Sequence, residues 1–209
     1  MSTATSITIA GINPMYVHRL DVSTVRRMQQ IGILRDGEPI ELIEGLLIRK
    51  DRSDTGGNPL NHGPHHALAV RRLQTLVPRL SPHGFELLIQ LPISLSSISE
   101  PEPDGAIVRT GAGFDGENHP SPADIAAVIE VADSSLRYDR LAKQKLYATA
   151  AIPTYWIVNI PERKLEVYRS PDPTTGKYTQ RNDFVSGETV QLDLGAGRQL
   201  DVAVAEILG

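Results

Sequence analysis

The segment IAAVIEVA, residues 125–132, decides the fold class, because all of its side chains except Glu130 are apolar. Residues rich in Val and Ile favour a strand, and a strand without polar alternation is buried on both faces, as in a sheet covered by helices. A carboxylate at Glu130 is costly in such a strand unless it is paired or bound to a metal ion. The segment therefore predicts a helix-covered sheet with one acid that needs a partner.

The surrounding sequence alternates between helix and strand patterns. A helix is predicted over residues 64–80, where the spacing of apolar residues gives an inward stripe of Ala69, Leu73, Leu76, Val77 and Leu80. Strand patterns follow in FELLIQLPISL (85–95) and PDGAIVR (103–109), and a second helix is predicted over residues 137–150 before the strand TYWIVNI (154–160). This order predicts an α/β fold with a mixed β-sheet flanked by helices.

Further elements are predicted on both sides of this core. Asp21 is a candidate N-cap for a short amphipathic helix, and PIELIEGLLIRK (39–50) is typical of a hairpin interrupted at Gly45. KLEVYR (164–169) and KYTQRNDF (177–184) predict extra C-terminal strands. We interpret residues 16–209 as one domain preceded by a flexible arm over residues 1–15.

Composition narrows the chemistry. The chain has 209 residues, no Cys and a formal net charge of −4 at pH 7. Without thiolates, a metal ion must be bound by carboxylates or imidazoles. The acidic balance argues against coating nucleic acid through bulk charge, although a local basic groove remains open. With no secretory or membrane-spanning pattern, we expect a cytoplasmic protein.

Asp104 and Glu130 are the candidate metal ligands. Strand alternation puts Asp104 on the face of Ala106 and Val108, and Glu130 on the face of Val128 and Ala132, so adjacent strands can present both carboxylates to one cation. Without the cation the two acids should repel each other, so we expect at least one raised pKa and no loss of stability when either acid is removed. The alternative is a structural role, with Glu130 in a buried ion pair and Asp104 in a turn.

The helix RYDRLAKQKLY (137–147) carries two candidate lysines. With Ala142 facing inward, Lys143 and Lys145 flank the buried stripe of Tyr138, Ala142, Leu146 and Thr149, and the spacing does not choose between them. Asp139 and Lys143 are four residues apart, which by itself predicts an ion pair on the helix surface.

Two more groups are weaker candidates. His62 and His66 in NHGPHH are separated by Pro64, so a polar role at the helix N-terminus is favoured over a zinc site. Glu41 and Glu44 in ELIEG are three residues apart, so a regular strand would point them to opposite faces.

Together, ELIEG (41–45), HALAVRRL (66–73), EPEPDGAIVR (100–109) and the run from VIEVAD to KLEVYR (128–169) resemble the Uma family, a bacterial branch of the PD-(D/E)xK superfamily of restriction-endonuclease-like nucleases. The resemblance covers about residues 38–170 and is specific, since the order and spacing of the blocks agree. It implies a restriction-endonuclease-like core with a metal ion at one end of the sheet.

The resemblance also implies roles for single residues. Asp104 matches the family's PD aspartate and Glu130 its second acid, so both would bind Mg²⁺ or Mn²⁺. Ala132 stands where the superfamily usually has a Lys, and Lys143 matches the helix position from which this family supplies that amine. Glu41 matches the upstream acid, and His66 the histidine that opens the first helix.

The function implied is a metal-dependent DNA endonuclease that hydrolyses phosphodiester bonds, with DNA as its partner and a homodimer as a possible assembly. Two alternatives remain from the sequence: a catalytically inactive nuclease fold used for binding or assembly, and an unrelated α/β domain in which these charges form structural ion pairs.

Overall fold

The computed structural model describes residues 16–35, 37–50, 63–113 and 118–209. The predicted arm over residues 1–15 and His62 lie outside the described residues. The strands are β1 (Ile40–Ile43), β2 (Leu46–Arg49), β3 (Phe85–Leu88), β4 (Gly105–Arg109), β5 (Ile125–Ala132), β6 (Thr154–Asn159), β7 (Lys164–Asp172), β8 (Lys177–Val185), β9 (Thr189–Gly195) and β10 (Arg198–Ala203). The helices are α1 (Val22–Gln30), α2 (Pro64–Leu73), α3 (Val77–Leu80), α4 (Leu136–Tyr138), α5 (Gln144–Thr149) and α6 (Val204–Leu208), with a π-helical turn at Asp139–Lys143 between α4 and α5.

A six-stranded mixed sheet in the order β3-β4-β5-β6-β7-β8 forms the centre of the molecule. β5 and β6 run parallel, and every other neighbouring pair in this sheet is antiparallel. All eight residues of β5 are buried, as its unbroken apolar sequence predicts. The α/β class, the mixed sheet flanked by helices, the N-terminal helix and the extra C-terminal strands are all confirmed.

The two faces of the sheet are covered by different elements. One face packs against α2, α3, α6 and the β9–β10 hairpin, through residues such as Leu73, Leu80 and Ile207. The other face packs against α5 and the β1–β2 hairpin, through Leu146, Tyr147 and Ile43. Ala106, Val108, Val128 and Ala132 all lie on this second face, which confirms the predicted alternation in β4 and β5. Among the helices of the described residues, none is long and apolar enough to cross a membrane.

Local sequence explains where the first elements begin and turn. Asp21 caps α1, because its Oδ1 accepts a hydrogen bond from the Thr24 amide at 2.7 Å. The β1–β2 hairpin turns at Glu44 and Gly45, which both have positive φ angles of 48° and 77°. A Cβ at position 45 would lie 2.5 Å from the Cβ of Arg19, so the turn requires glycine. The expectation that a regular strand points Glu41 and Glu44 to opposite faces does not apply, since Glu44 lies in the turn after β1.

The predicted helix over residues 64–80 is interrupted by a 3₁₀ turn at Gln74–Leu76. A 3₁₀ turn has fewer residues per turn than an α-helix, so the apolar stripe rotates beyond it. Val77 is 42% exposed, and its predicted place in the buried stripe is wrong, whereas the other four stripe residues are buried.

The stripe predicted for the second helix is also wrong at three positions. Tyr138 and Thr149 are exposed and Ala142 is half-buried, while Asp139 and Lys143 are buried beside the correctly predicted Leu146. The apolar pattern misled because the sheet face under this helix carries carboxylates, which draw a lysine inward. In the π-helical turn, the Gln144 amide donates to the Asp139 carbonyl five residues earlier, one residue more than in an α-helix. The extra residue changes which side chains face the sheet.

Candidate active site

Asp104 and Glu130 meet at one end of the β4–β5 pair. Gly105 pairs with Ile129 in the antiparallel register, so the next step along both chains places Asp104 opposite Glu130. Each carboxylate contacts the other residue's strand: Asp104 Oδ2 accepts from the Val131 amide at 2.9 Å, and Glu130 Oε2 accepts from the Asp104 amide at 3.4 Å. The two acids are therefore brought together, as the strand alternation predicts.

Lys143 points from the π-helical turn into this pair of acids. Its Nζ lies 3.2 Å from Glu130 Oε1 and donates to Glu41 Oε1 at 2.8 Å, and its side chain is 5% exposed. The prediction that Lys143 rather than Lys145 faces the acids is confirmed. Lys145 instead packs on the β7–β8 turn, where a Cβ at Gly176 would lie 2.9 Å from its Cγ.

Glu41 on β1 belongs to the same cluster. Besides Lys143, its Oε1 accepts a hydrogen bond from the Glu102 amide at 2.7 Å and lies 3.5 Å from Lys50 Nζ. Burial alone would raise the pKa of Glu41, but the charges of Lys143 and Lys50 outweigh it and lower the pKa. Glu41 is therefore ionised at neutral pH and gives Lys143 a second carboxylate partner besides Glu130.

His66, near the start of α2, lies beside Asp104. Its Nε2 is 3.0 Å from Asp104 Oδ2, and Gln90 Nε2 donates to Asp104 Oδ1 at 3.2 Å. Burial would raise the pKa of Asp104, but the contact with His66 and the Val131 amide outweigh burial and lower the pKa to about 2. These contacts indicate that His66 helps to orient the carboxylate of Asp104.

Glu130 has the opposite electrostatic environment. Burial raises its pKa, Lys143 counteracts burial, and the nearby charges of Asp104 and Glu41 raise the pKa further. The expected pKa rise therefore occurs at Glu130 and not at Asp104. Because Lys143 is shared with Glu41, the positive charge that reaches Glu130 does not balance the negative charges around it.

Asp139 is buried below the π-helical turn instead of lying on the helix surface. Its Oδ2 accepts from the Ser135 hydroxyl at 2.6 Å, while Lys143 turns towards the sheet. The alternative interpretation, an ion pair between Asp139 and Lys143 on the helix surface, is therefore wrong. Burial and the charge of Glu130 raise the pKa of Asp139 to about 8, so it is protonated over most of the neutral range.

Tyr147 is the site residue that the sequence analysis missed. Its hydroxyl is buried and donates to Glu130 Oε1 at 2.7 Å. The signal was present in the spacing, since Tyr147 follows Lys143 by four residues and so shares its helix face.

The arrangement suits a hard divalent cation held by two carboxylates. Mg²⁺ commonly keeps several waters and is bound through one or two carboxylates, which matches the pair Asp104 and Glu130. The excess negative charge that raises the pKa of Glu130 is the feature that such a cation would neutralise. Over the parts of the chain that the structure describes, no group of three or more His, Asp or Glu side chains has the geometry to hold a metal ion.

Comparison with known proteins adds the family. Residues 24–204 match the family model described as "Uma2: Putative restriction endonuclease". The chain belongs to the Uma2 family. No curated protein matches it.

One solved structure with the same fold comes from Anabaena variabilis ATCC 29413 and is described as a putative nuclease belonging to DUF820. It shares 17% sequence identity with this chain, covers 87% of this chain and 96% of its own length, and superposes with a TM-score of 0.61. The Uma2 match and this likeness agree with the restriction-endonuclease-like core implied by the sequence. Within this Uma2 chain, Glu41, His66, Asp104, Glu130 and Lys143 all lie in one cluster.

Proposed function

We propose that this Uma2 protein is a metal-dependent DNA endonuclease that hydrolyses phosphodiester bonds. The observation that carries the proposal is the convergence of Asp104, Glu130 and a buried Lys143 at one end of the sheet. The family match gives the proposal its reaction class.

Asp104 and Glu130 would hold Mg²⁺ or Mn²⁺ through carboxylate oxygens. Asp104 Oδ1 and Glu130 Oε2 suit this role, because the hydrogen bonds that they accept, at 3.2 and 3.4 Å, are longer than the usual ~2.9 to 3.0 Å. A bound divalent cation polarises a phosphoryl oxygen and lowers the pKa of water. His66 and the Val131 amide keep Asp104 ionised for this purpose, because they lower its pKa to about 2.

Lys143 supplies a permanent positive charge next to the acids. Burial would lower its pKa, but Glu130 and Glu41 raise the pKa well above its usual value, so the amine stays protonated. A protonated amine cannot accept a proton from water, so the role that fits Lys143 is stabilisation of negative charge on the phosphate. Removing one such stabiliser typically costs about a hundredfold in rate.

The test is cleavage of supercoiled plasmid by the purified full chain with Mg²⁺ or Mn²⁺, with and without chelator. We expect cleavage only with free metal. Asp104→Asn, Glu130→Gln and Lys143→Met should each lower the rate by about a hundredfold or more. The three residues act as one unit, so combined losses should be far smaller than the product of the single losses.

Lys145→Met is the matched control, because it removes a nearby lysine whose side chain packs on the β7–β8 turn. It should cleave like the wild type. If wild type cuts no DNA form with any divalent metal, the catalytically inactive binding module replaces the endonuclease. If all three site variants cleave like the wild type, cleavage does not arise at this site.

A further inference from the structure

A row of acids crosses the sheet face under the π-helical turn. Glu130 on β5 pairs in register with Ile157 on β6, and Ile157 pairs with Glu166 on β7. Glu166 therefore lies level with Glu130 and two strands away, about 10 Å at the usual strand spacing. The next residue in the row is Asp183 on β8.

Two cations of the same π-helical turn contact this row. Lys143 pairs with Glu130, as described above, and Arg140 contacts both carboxylate oxygens of Glu166 through Nε and Nη2, with 3.1 Å from Nε to Oε2. A guanidinium that makes two parallel hydrogen bonds fixes orientation as well as distance. The turn is thus fastened to the sheet at two points, one in the active site and one outside it.

Glu166 has hydrogen-bond and ion-pair partners other than Arg140. Asn159 Nδ2 donates to it at 2.7 Å, the Tyr168 hydroxyl at 2.8 Å, and Arg181 Nη2 lies 3.2 Å away. Arg140 is 30% exposed and also contacts Glu162 at 3.0 Å. Removing the Arg140 guanidinium therefore leaves no buried carboxylate without a partner. A substitution of Arg140 thus tests the Arg140–Glu166 contact without leaving the charge of Glu166 unpaired.

The position of Lys143 depends on a second contact between the π-helical turn and the sheet. Its ammonium is held between Glu41 and Glu130, which belong to different sheets, so a small slide of the turn would favour one acid over the other. A π-helical turn is rare and occurs as a short local feature within α-helices. Side-chain contacts to the sheet must therefore fix its register.

We propose that the Arg140–Glu166 pair is a positioning device that holds the π-helical turn where Lys143 reaches Glu130. The pair lies outside the active site and acts on it only through Lys143. The effect on cleavage rests on the function proposed above, whereas the effect on the position of Lys143 does not.

The test measures the accessibility of the Lys143 amine directly. The full-length wild type, Arg140→Met and Arg140→Lys are treated briefly with an amine-acetylating reagent, well below their melting temperatures, and modification of each lysine is read by mass spectrometry. We expect Lys143 to react about tenfold faster in Arg140→Met, because loss of a charge-assisted bidentate contact favours local opening. Arg140→Lys keeps the charge without the fork and should fall between the two. Lys145 should react alike in all three proteins.

Arg79→Met is the matched control. Arg79 is about as exposed as Arg140 and forms an ion pair with Glu206 at 2.8 Å, but it lies at α3, which packs on the other face of the sheet. Arg79→Met should leave Lys143 reactivity unchanged. If Arg140→Met folds poorly, Glu166→Gln removes the same contact from the other side and should give the same increase.

The outcomes separate the two proposals. Unchanged Lys143 reactivity in Arg140→Met, or an equal increase in Arg79→Met, overturns the positioning role. If wild type does not cleave DNA, the reactivity comparison still decides this inference. If it does cleave, Arg140→Met should lower kcat about tenfold at unchanged KM, since misplacing one catalytic group slows chemistry without weakening binding. A raised KM at unchanged kcat would mean that Arg140 contacts the substrate, which also overturns it.

Discussion

Glu130 and Glu166 are two buried carboxylates on one face of one sheet, and their electrostatic environments are opposite. Glu166 receives hydrogen bonds from Arg140, Asn159 and Tyr168, which outweigh burial and lower its pKa. Glu130 shares Lys143 with Glu41 and lies near Asp104, and its pKa is raised. The charge of Glu166 is therefore balanced by its partners. Glu130 retains negative charge that its own side-chain partners do not neutralise.

The difference shows that burial of an acid in a strand does not by itself indicate function. Both acids are flanked by apolar residues, in IAAVIEVA and in KLEVYR, and the sequence pattern looks similar. What separates them is the number of donors that the fold brings to each one. An unbalanced cluster of acids is the arrangement expected of a cation site, whereas a balanced one is expected of a structural clamp.

The largest expected contrast is between Glu130→Gln and Glu166→Gln. Glu130→Gln should lower plasmid cleavage by at least about a hundredfold while stability holds or rises, because a carboxylate with a raised pKa destabilises the fold at neutral pH. Glu166→Gln should lower the free energy of unfolding by about 2 kcal/mol, because it weakens the hydrogen bonds that Arg140 and Tyr168 make to the buried carboxylate. Arg140 and Arg181 keep their contacts with Glu162 and Asp183, so no charge is left unpaired. Urea unfolding and cleavage rates measure both. An equal stability loss in the two variants would make Glu130 a structural ion pair as well.

Asp139→Asn extends the contrast to pH dependence. The pKa of Asp139 rises from 3.8 to about 8 on folding, so between these values the folded state holds a proton that the unfolded state has released. Stability should therefore fall as pH rises from 4 to 8, and Asn, which still accepts from Ser135, should remove this loss. We expect a gain of at least ~2 kcal/mol at pH 8 and almost none at pH 4. A lower stability of Asp139→Asn at pH 8 would mean that Asp139 is ionised and paired.

Asp104→Asn should behave in the opposite way. The pKa of Asp104 falls from 3.8 to about 2 on folding, so its carboxylate stabilises the fold above pH 4, and this contribution is lost as pH falls through 2. The variant should lose about 2 kcal/mol at pH 7 and progressively less below pH 4. This replaces the expectation from sequence that removing either acid is harmless. Thermal unfolding at pH 7 and pH 3 measures the difference.

Tyr147→Phe should have the smallest effect. It removes one hydrogen bond to Glu130, which costs about 1 kcal/mol and raises the pKa of Glu130 further. Tyr178→Phe is the control, since its hydroxyl donates to the Ile152 carbonyl at 2.9 Å, away from the acids. Both variants should lose similar stability, but only Tyr147→Phe should slow cleavage, by a few-fold. Equal cleavage by the two variants would show that Tyr147 serves packing alone.

The sequence predicted the sheet and the two acids because their signals are local. An unbroken apolar strand indicates burial on both faces, and alternation places Asp104 and Glu130 on the same face. The choice of Lys143 over Lys145 came from the family resemblance, because regular helical spacing left both open. The π-helical turn, which no local pattern marked, decides which side chains face the sheet.

Other features depend on contacts between distant segments. Arg140 meets Glu166 across 26 residues, and Lys143 meets Glu41 across 102 residues. The spacing of Asp139 and Lys143 by itself favoured an ion pair on the helix surface because charged residues usually lie there, and that rule fails where a sheet face carries its own charges. Tyr147 could have been found from its spacing to Lys143, whereas its bond to Glu130 depends on how α5 packs on β5.

The central claim is that the Glu130 end of this sheet face, unlike the Glu166 end, holds a divalent cation. Titration of Mn²⁺ into the wild type, Glu130→Gln and Glu166→Gln by calorimetry tests it directly. We predict that wild type and Glu166→Gln bind Mn²⁺ alike, and that Glu130→Gln binds at least about tenfold more weakly, because it removes one of two carboxylate ligands. Equal Mn²⁺ binding by Glu130→Gln and the wild type, or its loss in Glu166→Gln alone, would contradict the account.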